Sequence, residues 1–240
     1  MSKKKKAAKV TLVRNLIIGA VALVVALVVG YGLLYTTGIT EGEFVAGEHY
    51  RVVEDAPRKH PGSPVEVQEF FSYGCIYCRN FEPLITEWQK NLPDGVRFER
   101  VPVAFSPQWM LLAQAYYTLE VLDILEENHN RIFARIHDRR DMFDSAEDLS
   151  EFIDGHGASA EEFLAAFNGP EVRRRLRYAA NAEREVVIAS VPTLVVNGRY
   201  VITMDVGRKV ALEVTDHLIA MEQAGADAAD GSADPVDDSG

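Results

Sequence analysis

Two cysteines three residues apart, at the handover from a strand to a helix, constrain this chain more than anything else in it. From Val65 to Cys78 the sequence runs Val-Glu-Val-Gln-Glu-Phe-Phe-Ser-Tyr-Gly-Cys-Ile-Tyr-Cys, and the chain has no other cysteine. The β-branched and aromatic run reads as a buried strand, Ser72 to Gly74 as a tight turn, and Cys75 onward as the first turn of a helix. Helix N-termini expose N–H groups and the positive end of the dipole, both of which favour a thiolate. Cys75 is therefore expected to be the attacking sulfur. Cys78, one turn deeper, is placed to close a small disulfide ring and to release mixed disulfides from Cys75.

A CxxC pair also has other uses. Half a zinc site needs two further ligands, but there is no second CxxC, and His49, His60, His129, His137, His156 and His217 form no HxxxH pair. A purely structural disulfide stays open as an alternative to redox chemistry. Within the strand, Val65, Val67, Glu69 and Phe71 share one face by the period-2 rule, which sets a carboxylate among apolar neighbours. Glu69 is either a strand-end residue reaching water or a partner, or a proton acceptor buried beneath Cys78 with a raised pKa.

At 240 residues and 48% hydrophobic content the chain can bury a substantial core. The net charge of −11 is uneven: Lys3 to Lys6, Lys9 and Arg14 put +6 in the first fifteen residues, leaving −17 on the remainder. So acidic a body argues against nucleic acid as a partner. Residues Leu16 to Tyr35 carry no charge and follow the lysine cluster. Their length and basic flank predict a membrane anchor, with lipid as a partner over 16–36 and the N-terminus in the cytoplasm. A cleaved signal peptide is the rival reading, although its apolar core is usually shorter. Either way everything after about Thr36 is expected to be exported to a compartment where a disulfide can persist, and with the anchor kept the protein is expected to be a single-pass inner-membrane protein with its body in the periplasm.

The rest of the chain divides readily. Phe44 to Val53 is a candidate first strand. The CxxC helix carries the apolar stripe Phe81, Leu84, Ile85 and Trp88, with Pro83 expected to bend it. Val96 to Val103 alternates as a strand, and Pro107 opens a long helical series. Ser145 with Asp148 and Ser159 with Glu162 mark two helix starts, and Gly169-Pro170 precedes another helix. The arginines 173, 174, 175 and 177 in that helix read as a solvated, ion-paired face. Thr193 to Val196 and Tyr200 to Thr203 flank Asn197-Gly198, a hairpin signal, and a closing helix follows from Gly207. The expected divisions are a basic tail 1–15, an anchor 16–36, a tether 37–43, a first sheet segment 44–105, a helical insertion 106–188, a second sheet segment 189–224, and a disordered acidic tail 225–240.

These residues resemble the DsbA-like thiol-disulfide oxidoreductases. The resemblance rests on Glu69 through Cys78 with Phe81-Glu82-Pro83, on Val101-Pro102-Val103 followed by Pro107-Gln108-Trp109 and Ala115-Tyr116-Tyr117, and on Ser190-Val191-Pro192-Thr193 followed by Asn197-Gly198. It implies an α/β thioredoxin fold interrupted by a helical domain, here preceded by the expected transmembrane helix. It also implies that Cys75 is the nucleophile, Cys78 the resolving cysteine and Glu69 a buried acid. Pro192 would be a cis-proline turning the Val191 backbone toward a substrate chain, where an ordinary trans proline opening a strand is the alternative. Ile76 and Tyr77 stand where the family's strong oxidants have Pro-His, so an intermediate potential is expected. The implied activity is the introduction of disulfides into reduced exported polypeptides, with a DsbB-type quinone-linked oxidase as reoxidant. No cofactor beyond the Cys75–Cys78 disulfide, and no metal, is called for. A reductase or isomerase using the same couple, or a non-catalytic chaperone with a structural disulfide, are the alternatives.

Overall fold

The computed structural model describes residues 15–29, 44–56, 60 and 63–230. An N-terminal unit, Met1–Glu43, is separate from the body that begins at Phe44. Its described part is a helix, α1, over 15–29. Among the described residues no helix is long and apolar enough to cross a membrane. That finding corrects the expected single-pass inner-membrane location, and the described residues do not show the anchor or the lipid contact expected over 16–36. Residues 1–14 and 30–43, on which the basic tail, the end of that anchor and the tether fall, lie outside the described residues.

The body is built on a five-stranded sheet in the order β1-β5-β4-β2-β3. β2 (Val65–Phe71) and β3 (Val96–Pro102) run parallel, with Glu69 opposite Arg100. β4 (Thr193–Val196) lies antiparallel on the other side of β2, and β5 (Tyr200–Thr203) on β4. β1 is Arg51–Val52, a short strand within the Phe44 to Val53 stretch expected to supply one, and before it Gly47 takes a positive φ and its N–H closes a local turn onto Tyr50 O. The β4–β5 turn is as expected: Asn197 and Gly198 both have positive φ, and Arg199 N–H donates to Val196 O at 2.9 Å.

A parallel β2–β3 pair needs a crossover, and α2 (Ile76–Gln89) supplies it. α2 packs with α8 (Arg208–Asp230) over one sheet face, burying Val67, Phe81, Ile85, Leu194, Val214 and Leu218. Pro83 lies inside α2, which continues through it. Between β3 and β4 comes the all-helical segment: α3 (Pro107–Val121), α4 (Leu125–Phe133), a π turn (Ala134–Asp138), α5 (Ala146–Ile153), α6 (Ala160–Phe167) and α7 (Pro170–Glu185). Ser106, Ser145 and Ser159 cap their helices by accepting from the third backbone N–H beyond, which is why the chain turns helical at those points. Phe70, Phe71, Tyr73, Tyr116, Phe133 and Val195 belong to the second core, between the sheet and this helical segment. Phe71 therefore departs from the face expected for it, joining Phe70 at the strand end where the chain turns. The closing helix runs to Asp230, six residues past the expected boundary at 224, through a stretch rich in alanine, the best helix former.

Candidate active site

Ser72 begins the turn that ends β2: Gly74 N–H donates to Ser72 Oγ and Cys75 N–H to Ser72 O, both at 3.1 Å. Cys75 is then the N-cap of α2, extended at φ −95° and ψ 117°, and Cys78 lies one turn inside. Both cysteines are free thiols here, 7% and 1% exposed. Ile76 and Tyr77 between them are exposed, so the reactive edge is rimmed by apolar surface. Across the site the Val191–Pro192 bond is cis, as the resemblance implied, and the Cys75 thiol donates to Val191 O at 3.4 Å.

The two thiols face opposite electrostatics. A hydrogen bond from the Cys78 thiol brings Cys75 down to about 6, against the pull of burial, with help from the backbone N–H groups of Cys78 and Tyr77. Cys78 goes the other way: burial, then the bond to Cys75 and the charges of Cys75 and Glu69, push it far above an ordinary thiol.

Glu69 is 1% exposed in the middle of β2. Burial raises its carboxyl to about 7; Arg100 pulls it down and Glu82 pushes it up. Arg100 Nε donates to Glu69 Oε2 at 3.0 Å, and Arg100 Nη2 to Glu82 Oε1 at 2.9 Å. Thr86 Oγ1 also donates to Glu82, at 2.7 Å. Burial works against the Glu82 carboxylate, yet His129, Arg100 and Thr86 together hold it at about 2. His129 Nε2 is 3.2 Å from Glu82 Oε2, though not in line for a hydrogen bond. Burial keeps His129 below the usual histidine value despite Glu82, so the permanent cation beside Glu82 is Arg100, which adds to the hold of His129. The other His129 nitrogen, Nδ1, pairs with the Tyr73 hydroxyl at 2.8 Å.

The structure thus brings Cys75, Cys78, Ile76, Tyr77, Val191 and Pro192 together, and buries Glu69 in the strand beneath α2. The Arg100–Glu82–His129 group was not foreseen as part of the site. A signal for it was present: Glu82 is four residues after Cys78 and so on the buried side of α2, and Arg100 follows Val96 and Phe98 at period two. Among the described residues no group of three or more His, Cys, Asp or Glu is placed to hold a metal.

Relatives of this chain are named thiol:disulfide interchange proteins. Residues 98–212 match the family model of the DSBA-like thioredoxin domain. The chain is 32% identical over 218 residues to the thiol:disulfide interchange protein DsbA of Pseudomonas aeruginosa, spanning 89% of this chain and 99% of that protein. It is 33% identical over 182 residues to DsbA of Azotobacter vinelandii, covering 75% of this chain and 85% of the relative. The crystal structure of Pseudomonas aeruginosa DsbA superposes with a TM-score of 0.73 at 32% identity, over 78% of this chain and 98% of the other. With a parallel pair carrying CxxC at the head of its crossover helix, a cis-proline facing it and relatives aligned almost end to end, this chain belongs to the DsbA family of thiol-disulfide oxidoreductases.

Proposed function

We propose that this oxidoreductase passes a Cys75–Cys78 disulfide to reduced cysteines of exported polypeptides, in a compartment oxidising enough for the bond to persist. The observation that carries this reading is the asymmetry of the two thiols, Cys75 brought down to about 6 and Cys78 pushed far up. A substrate thiolate attacks Cys75 Sγ, the enzyme disulfide breaks, and Cys78 leaves with the electron pair. Because Cys78 binds a proton so tightly, it leaves readily only as the thiol, and Glu69, at about 7, is a group able to give that proton and later take it back. A second substrate thiolate then attacks the substrate sulfur of the mixed disulfide. Cys75 departs as a stable thiolate, the better leaving group. The substrate has lost two electrons, and the enzyme has gained them as a dithiol.

The Val191 carbonyl beside Cys75 supports a role for that loop in aligning an extended substrate backbone, and exposed Ile76 and Tyr77 offer it apolar contact. Stabilising the Cys75 thiolate stabilises the reduced enzyme, which favours donation of the disulfide over its reduction. A DsbB-type quinone-linked oxidase is the proposed reoxidant. The test is to mix the oxidised protein with a reduced two-cysteine peptide, quench with acid, and count peptide disulfides against enzyme thiols. Stoichiometric transfer is expected, with iodoacetamide near pH 6 labelling Cys75 of the spent enzyme ahead of Cys78. No transfer, or preferential labelling of Cys78, defeats the reading, and an equilibrium lying toward the reduced peptide would make the protein a reductase.

A further inference from the structure

Tyr73 lies in the turn between β2 and α2, and two histidines from the helical segment take hold of it at opposite ends. The Tyr73 hydroxyl pairs with His129 Nδ1, while the Tyr73 backbone carbonyl lies 2.8 Å from His137 Nε2. A carbonyl oxygen can only accept, so His137 carries its proton on Nε2. The next residue, Asp138, accepts from Arg79 Nη2 at 3.1 Å, and Arg79 directly follows Cys78. His137 and Asp138 end the π turn, in which Arg139 N–H reaches back five residues to Ala134 O at 3.0 Å. Such turns are rare and recur at functional sites. On another side of the turn Trp109 closes over Gly74, so near that an added Cβ would meet its Nε1 at 2.6 Å.

We propose that His137 is a positioning residue for thiol-disulfide exchange, its Nε2–H bond to the Tyr73 carbonyl fixing the turn that seats Cys75 at the N-terminus of α2. This rests on the reading of Cys75 as the nucleophile. The bonds of Gly74 and Cys75 to Ser72 are internal to the turn, and His129 reaches only the far end of the Tyr73 side chain, not the backbone of the turn. His137 ties it to a separate element. A pivot of a few tenths of an ångström matters because the support for a Cys75 thiolate comes from directional hydrogen bonds from the N–H groups of Tyr77 and Cys78 and from the Cys78 thiol. His137 touches neither sulfur in this arrangement and acts through the backbone of Tyr73.

The experiment follows thiolate absorbance near 240 nm against pH in the reduced full-length protein, with the glutathione equilibrium measured beside it. His137→Ala should raise the Cys75 midpoint by about one unit, a tenfold shift in its ionisation equilibrium, and make the couple less oxidising. His137→Gln, which keeps a side-chain N–H donor, should recover most of the loss, and His217→Ala should change nothing. A folded His137→Ala protein with an unmoved midpoint overturns the proposal, as does a glutamine variant no better than alanine. If the alanine variant fails to fold, ¹⁵N resonances of His137 in the unmodified protein decide: the proton must sit on Nε2 and the shifts must move between dithiol and disulfide. A proton on Nδ1, or shifts blind to the redox state, refutes it. These readouts need no substrate, so they fail independently of disulfide transfer.

Discussion

Glu69→Gln should make the protein more stable at pH 8 and flatten its stability between pH 4.5 and 7. The buried carboxyl binds its proton more tightly in the folded state, about 7 against an ordinary 4.5. Its contribution is therefore fully present below pH 4.5 and is lost as pH rises through 7. A difference of 2.5 in pKa corresponds to about 3 kcal/mol lost by pH 8. Glutamine stays neutral throughout, retains a carbonyl oxygen that can accept from Arg100, and leaves Arg100 its bond to Glu82. Weakening a charge-assisted hydrogen bond into a neutral one returns about 1 kcal/mol, so the net gain at pH 8 is about 2 kcal/mol. With a urea m-value of about 2 kcal/mol/M, the unfolding midpoint should rise by about 1 M at pH 8 and hardly at all at pH 4. The same variant should transfer disulfides more slowly, since Cys78 loses its proton partner. A variant with the parental pH slope, or one less stable than the parent at pH 8, would show that Glu69 is not held as a reluctant carboxylate.

Two further outcomes are expected. Tyr77 is largely exposed beside the nucleophile, and Tyr77→His would bring a partial positive charge there; the Cys75 midpoint should fall by up to about one unit and the couple become more oxidising by about 30 mV, which a glutathione titration reads. A histidine variant no more oxidising than the parent would mean that the dipeptide does not control this site. Gly74→Ala should force Trp109 away, since the new Cβ would lie 2.6 Å from Nε1 and 3.0 Å from Cδ1 of its indole, and should cost about 1–3 kcal/mol with a change in tryptophan fluorescence; an unchanged urea midpoint would refute that tight contact.

What could be read in the sequence was local. Strand, turn and helix around Cys75 follow from residue types within a dozen positions, and the serine caps and the Asn197-Gly198 turn are equally short-range. The membrane location went beyond the residues for a related reason: an uncharged run states composition, whereas crossing a bilayer requires a continuous apolar helix of sufficient length, and among the described residues no helix is long and apolar enough to do so. The polar group under the cysteines was hidden because its members lie 31 residues apart in Glu69 and Arg100 and 47 apart in Glu82 and His129, joined by strand register and by the return of the helical segment. Nor did periodicity announce the π turn, whose five-residue hydrogen bond depends on what the helix packs against.

Exposure alone does not explain why two thiols in one helical turn behave so differently, since both are buried. Burial raises Cys78 most, and what each sulfur faces adds to the difference. Cys75 sees N–H groups and a thiol donor; Cys78 sees Glu69, behind which Glu82 shares Arg100. With Arg100 the permanent cation, an ionised Glu69 leaves two carboxylates against one guanidinium beneath Cys78, and a protonated Glu69 leaves the set balanced. A Cys78 thiolate and a Glu69 carboxylate therefore oppose each other in low dielectric, and one proton between them satisfies both. On the proposed mechanism Glu69, with its carboxyl raised to about 7, supplies that proton as Cys78 leaves the disulfide and takes it back as the bond re-forms. Had Glu69 remained an ordinary carboxylate near 4.5, the departing Cys78 would find no proton beside it at neutral pH, and the far-raised thiol would be a barrier to the first step of exchange rather than part of its machinery.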